Sequence, residues 1–263
     1  MTIPEGVTSI GHAAFEDCEL LTAISIPSSV TSVSHQAFDG CVSLVDVYIK
    51  DVAAWCSIDF DTHYWNNPLH YGGNMYLNNE LVTELVIPEG VKVINNLAFY
   101  GLESITKIVM PKTLKSIGEN TFYGCKNLKS LEIPNNVTSI GEGAFRDCES
   151  LESVTIGDGL EFIPEYAFLG CKLSSNLVIG KGVKKIDAQA FSGTIITKCY
   201  SYATTPPTLL TEKAYNPYYG DFYIDAFFNS SCKDAILYVP ARCGSAYKTS
   251  AWGKYFKNIV EMD

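Results

Sequence analysis

The sequence predicts an α/β solenoid of about eight stacked coils, each of roughly 23 residues, closed by a C-terminal cap. Three observations predict it. The sixteen residues IPEGVTSIGHAAFEDC, beginning at Ile3, return at Ile133 as IPNNVTSIGEGAFRDC. Ile3, Ile26, Ile87, Met110, Ile133, Ile156 and Ile179 fall in one register, and every interval but one is 23. The exception, of 61, divides at Ile49 into 23 and 38, so one coil carries 15 extra residues. Phe15, Phe38, Phe99, Phe122, Phe145, Phe168 and Phe191 repeat the measurement. With such a period, each unit buries its apolar side against the next copy, because it has no core of its own.

Each unit opens with a strand. Segments such as LTAISIP (21–27) and LKSLEIP (128–134) alternate apolar residues, Ile24 with Ile26 and Leu131 with Ile133, so one face points inward. A proline or glycine follows and ends the ladder. A second apolar pair comes next, Val7 with Ile10 or Val137 with Ile140. The period then changes. Gly11, Ser34, Asn95, Gly118, Gly141 and Asp187 hold one position, suited to starting a short helical turn. Phe15 and Cys18, three apart, put two apolar groups on one side of that turn. Gly40, Gly101, Gly124, Gly170 and Gly193 lie two residues after their phenylalanines, where a left-handed exit favours glycine.

The pattern divides the chain into a solenoid at 1–196, with an enlarged coil at 51–76, and a capping segment at 197–263. The repeat fades after Phe191, and TTPPTL marks the boundary. In the capping segment ILYVP reads as a strand, and Tyr247, Trp252 and Phe256 stand at near-helical spacing. An open solenoid end exposes apolar core and needs such a cover.

Composition narrows the function classes. The chain has 263 residues, 47% of them hydrophobic, enough for a large core. No run of about 18 apolar residues exists to span a membrane. No signal peptide is visible and the sequence begins inside a repeat, so further repeats are expected ahead of Met1. The net charge of −10, with no basic run beyond Lys184-Lys185, argues against nucleic acid as a partner.

The recurring Leu-x-x-Ile-x-Ile-Pro-x-x-Val-x-x-Ile-Gly-x-x-Ala-Phe-x-x-Cys resembles the BspA-like class of bacterial leucine-rich repeats, over about residues 3–196. The departures are Gly157 and Gly180 for proline, Leu102 and Thr194 for cysteine, and the enlarged coil. The resemblance implies a right-handed solenoid with a parallel sheet on its concave side. It also implies a surface or secreted protein of a host-associated microbe, in a class often engaged in adhesion. At a strand spacing of ~4.8 Å, eight coils make a core roughly 35–40 Å long.

No catalytic or metal motif stands out. Cys18, Cys41, Cys125, Cys148 and Cys171 share one repeat position and are expected as an inward-facing row of small hydrophobes. Cys56, Cys199, Cys232 and Cys243 lie outside it, and a Cys232–Cys243 link is left open. There is no paired C-x-x-C, phosphate loop, Gly-x-Ser-x-Gly or His-Glu-x-x-His. His12 and His35 read as surface groups, and His63 and His70 flank YWNNPL without a third ligand. No cofactor or metal is therefore expected.

Three surfaces are candidates for binding. The enlarged coil holds Trp55, Phe60, Tyr64, Trp65, Tyr71 and Tyr76; Trp55 and Phe60 suit core filling, and Tyr64 and Trp65 suit a contact loop. On the concave sheet, the outward row of Ser25, Tyr48, Val86, Val109, Glu132, Thr155 and Val178 sets Tyr48, Val86 and Val109 together as an apolar patch. The capping segment is the third. The leading expectation is a non-enzymatic surface or secreted recognition protein. It binds an extracellular host protein or glycan through the concave sheet and the aromatic loop, at Tyr48, Tyr64, Trp65, Val86, Val109 and Glu132. The alternatives are a carbohydrate-binding module using the Tyr64–Trp65 loop, or a passive spacer in a larger surface protein.

Overall fold

The computed structural model describes residues 1–61, 63–216 and 220–263, and it is a parallel β-solenoid. One sheet has four strands: Ala23–Ser25, Asp46–Ile49, Asn74–Leu77 and Glu80–Leu81. The other has eight. It runs from Glu84–Val86 through Lys107–Val109, Ser130–Ile133, Ser153–Ile156, Asn176–Ile179, Lys198–Ser201 and Ile236–Val239 to Asn258–Glu261. Eleven of these twelve strands are parallel rungs, against about eight coils counted from the repeat. The repeat spacing sets the register: Ile133 pairs with Ile156, and Ile156 with Ile179. Leu131 and Ile133 are buried between exposed Ser130 and Glu132, as alternation requires. A second series of two-residue strands, such as Val93–Ile94, Ser116–Ile117 and Ser139–Ile140, stacks in parallel at the next corner.

The expected helical turns are built differently. Each arc is a run of linked turns interrupted by left-handed residues. Gln36, Leu97, Asn120, Gly143, Tyr166 and Gln189 share one position, with φ between 49° and 62°. The glycines after each phenylalanine hold a second, with φ of 68–75° at Gly40, Gly101, Gly124, Gly170 and Gly193. Alternating handedness turns every second N–H along the stack, so Leu97, Phe99 and Gly101 donate to Glu119, Thr121 and Tyr123 carbonyls at 2.8–2.9 Å. A continuous helix would keep those bonds within one coil. Here they join neighbours and satisfy the buried backbone.

Phe99, Phe122, Phe145, Phe168, Phe191 and Phe227 stack through the interior with ring centroids 5.3–5.5 Å apart. Beside them the thiols of Cys41, Cys125, Cys148 and Cys171 donate to the Phe15, Phe99, Phe122 and Phe145 carbonyls. Cysteine recurs because the site takes a small group that fills space and carries a donor. Ser230 does the same for the Phe191 carbonyl. Cys18 departs from the expected inward row. It is exposed. All nine cysteines are free, Cys232 and Cys243 included.

The enlarged coil corrects the simple count of 15 inserted residues. Asn74–Leu77 is a rung of its own beside Asp46–Ile49, and it folds back antiparallel on Glu80–Leu81. Asn78 and Asn79, both left-handed at φ of 51° and 69°, make the two-residue turn. This hairpin ends one sheet, and Glu84–Val86 begins the other. Helix Val52–Cys56 starts at Asp51, whose carboxylate accepts from the Ala53 and Ala54 N–H groups. Trp55 and Phe60 are buried as expected, and the Trp55 indole N–H donates to the Ala98 carbonyl at 2.6 Å.

At the other end the sheet continues without a break past residue 197. Phe227 takes the next place in the ring stack, and Trp252 and Phe256 meet it edge-on at 5.4 and 5.5 Å. Tyr247, Trp252 and Phe256 are all buried, on helices Gly244–Thr249 and Trp252–Tyr255 and the residue after the second. Among the described residues no helix is long and apolar enough to cross a membrane.

Candidate recognition surfaces

Strand alternation points half of each strand outward. In the eight-stranded sheet, Val86 lies in register with Val109, and both are exposed, at 52% and 36%. Lys107 pairs with Ser130, which sets exposed Glu132 beside Val109 and Thr155 beyond it. The row ends in Val178, Tyr200, Tyr238 and Val260, aligned by successive pairings. Tyr200 and Tyr238 stack at 4.6 Å, with a valine flanking each in register. The parallel outward row carries the Glu84–Lys107 ion pair, 2.8 Å long and exposed.

Tyr48 does not join Val86. Its rung pairs with Asn74–Leu77, so Tyr48 stacks on Tyr76 at 4.6 Å, and the Asn78–Asn79 hairpin separates both from Val86. The expected three-residue patch is therefore two patches, one on each sheet.

Tyr64 and Trp65 belong to the turn side. The 3-10 turn Tyr64–Asn66 is anchored by buried amides. Asn66 accepts from the Gln36 N–H at 2.7 Å and donates to the Phe60 carbonyl, while Asn67 donates to the Leu97 carbonyl. Trp65 packs on His63 at 4.7 Å, and His63 on His35 at 4.7 Å. Tyr64 stacks on Tyr100 at 5.5 Å, Tyr100 on Tyr123 at 4.7 Å, and Arg146 covers the Tyr123 ring at 5.5 Å. The result is a ribbon of rings crossing several coils. A shallow groove beside it, about 310 Å³, is lined by His70, Tyr71, Tyr100, Tyr123 and the Glu103–Lys126 ion pair. Burial lowers the pKa of His70, and its Nδ1 and the Trp65 Nε1 are buried with no partner among the described residues. Burial, then Tyr123, raises that of Tyr100.

Of the six candidate residues, Val86, Val109 and Glu132 thus share one row, Tyr48 stands on the other sheet, and Tyr64 with Trp65 lie in the ribbon. Sequence reading placed Tyr76 in the enlarged coil without its stack on Tyr48, and missed Tyr100, Tyr123, Tyr200 and Tyr238. Tyr100 and Tyr123 had a signal, the repeated Phe-Tyr-Gly at a spacing of 23. Tyr200 and Tyr238 had none, because their separation departs from that of the repeat. Among the described residues, no group of three His, Cys, Asp or Glu is placed to hold a metal ion.

The family described as BspA type leucine rich repeat region matches six copies, over residues 1–60 and 72–198. No curated protein matches. Among solved structures, a Treponema pallidum leucine-rich repeat protein is 25% identical, with 76% of this chain and 72% of that one covered and a TM-score of 0.36. One from Bacteroides ovatus is 23% identical over 100% of this chain and 68% of that one, with a TM-score of 0.44. One from Eubacterium ventriosum is 18% identical over 88% and 82%, with a TM-score of 0.51, which supports the fold alone.

Proposed function

The chain belongs to the BspA-type leucine-rich-repeat family, and on that premise we propose that it is a non-catalytic recognition protein, secreted or on a cell surface, that binds a host macromolecule. The eight-stranded sheet is the main contact. The observation that carries this reading is Val86 and Val109, paired in register and exposed on a face that no other described element of the chain covers. Paired apolar residues framed by charge, here Glu84, Lys107 and Glu132, suit a protein partner with an apolar centre and a polar rim. Val178, Tyr200, Tyr238 and Val260 extend the same row and favour an elongated partner. The ribbon at Tyr64 and Trp65 is a separate surface, and a contact with both needs a partner that wraps around the coil.

The test is binding of the purified chain to an array of extracellular-matrix proteins, beside Val86→Asp/Val109→Asp and Tyr64→Ala/Trp65→Ala variants shown to be folded by circular dichroism. The reading expects saturable binding that falls at least tenfold in the valine pair. Binding lost only in the ribbon pair moves the site to the turn side. Absence of saturable binding to every protein on the array sinks the proposal.

A further inference from the structure

Stacked tyrosines are useful to a ligand only where a ring face stays open. In the turn-side ribbon Tyr100 is held between Tyr64 and Tyr123, and Arg146 takes the next place. Tyr200 and Tyr238 have Val178 and Val260 in register on their outer sides. The third pair differs. Tyr76 covers one face of Tyr48, and the residue in register on the other side is Ser25. Beyond Ser25 the chain places Thr2, again in parallel pairing. Two short hydroxyl side chains therefore lie where a continued stack would put rings, leaving a recess about two strand spacings, roughly 9–10 Å, along the axis.

The rim of that recess is polar. Asp46, two residues before Tyr48 on the same outward face, accepts from the Asn74 amide at 3.1 Å. A carboxylate has about four acceptor positions, so this one partner leaves capacity for a ligand. On the far side Lys50 pairs with Glu5 at 2.9 Å. An aromatic face with a floor of hydroxyls and a rim of carboxylate, amide and ammonium groups matches a sugar ring. Its C–H face meets the electron-rich ring and its hydroxyls meet the rim. An apolar peptide side chain would make no use of the remaining donor and acceptor positions on that rim. The chain's net charge of −10 disfavours sulfated or carboxylated glycans.

We propose that the open face of Tyr48, above Ser25 and Thr2 and beside Asp46, is a subsite for one hexopyranose residue of a neutral glycan. The proposal rests on the recognition role above and gives the four-stranded sheet a ligand class of its own. The two readings fail separately, because one is read by sugar titration and the other by the protein array.

The test is saturation-transfer difference NMR and calorimetry with neutral hexasaccharides of glucose, mannose and galactose, beside a heparin hexasaccharide. Tyr48→Ala removes the platform. Ser25→Tyr fills the recess by continuing the stack, and Phe162→Ala on another strand serves as control. We expect at least one neutral hexasaccharide to saturate the protein. Its affinity should fall tenfold or more in both site variants, each shown folded by its melting curve, and hold in the control. No neutral hexasaccharide binding, undiminished affinity in Ser25→Tyr or Tyr48→Ala, or binding confined to heparin overturns the proposal.

Discussion

The regular coils and the enlarged coil meet the same packing requirement with different chemistry. Between Phe99 and Phe191, each ring stacks on its neighbours and a cysteine thiol donates to a phenylalanine carbonyl in most coils. Between residues 51 and 76 the interior is filled by Trp55 and Phe60. The carbonyls there are met by an indole N–H and two asparagine amides. The comparison teaches that a stack needs a filled interior and satisfied backbone acceptors. The repeated motif is one way to supply both.

The largest test of that equivalence is a pair of truncations. Phe145→Ala, in a ring held between Phe122 and Phe168, should cost about 3–5 kcal/mol. Trp55→Ala should cost at least as much, since it also removes the shorter of the two hydrogen bonds to the Ala98 carbonyl and leaves only the Asn67 amide at 3.3 Å. Urea unfolding measures both, and a Trp55→Ala loss below about 1 kcal/mol would show that the enlarged coil stands outside the cooperative core.

Polar connections come next. Asn67→Ala removes a buried amide bridging the Leu97 carbonyl and the Leu69 N–H, with an expected loss of about 1–3 kcal/mol. Cys148→Ala should cost more than Cys148→Ser, because serine keeps a donor for the Phe122 carbonyl as Ser230 does for Phe191. If serine is the worse replacement on thermal melting, the thiol acts as packing alone.

Acid should act on the enlarged coil before the regular ones. Burial holds the pKa of His70 below its ordinary value of 6.5, so the folded protein resists the proton that the unfolded chain takes up. Stability is therefore unaffected above that ordinary value and falls as pH drops below it. His70→Gln should flatten the slope of the unfolding midpoint from pH 7 to pH 5; an unchanged slope assigns it elsewhere. The smallest effect is expected at Glu84–Lys107, a pair exposed on both sides. Lys107→Met should shift stability by less than about 0.5 kcal/mol, and a larger loss would give that row a structural role.

The solenoid was legible because its constraint is periodic: each Ile and Phe must mate with its copy, so identity and spacing carry the same message. The arcs were less legible. Gly11 or Asn95 can open a helix, but the left-handed residue two places on is Ala13 or Leu97, types that give no warning of it. The hairpin at Asn78–Asn79 carried a turn signal that the long interval from Ile26 to Ile87 obscured. Of the candidate surfaces, the pairing of Val86 with Val109 followed from the period. The partner of Tyr48 did not, because Tyr76 arrives later than the repeat would place it and breaks the count.

The hydrogen bonds that join arc to arc lie along the stack, as do those between the strands. A pull that separates the two ends of the molecule therefore loads one coil boundary at a time. Coils should peel singly at low force, each releasing about 23 residues, or roughly 75–80 Å of chain. The enlarged coil, tied across by Trp55 and Asn67, should resist longest. A pull on such a stack should therefore lengthen it step by step while most of its surface stays folded.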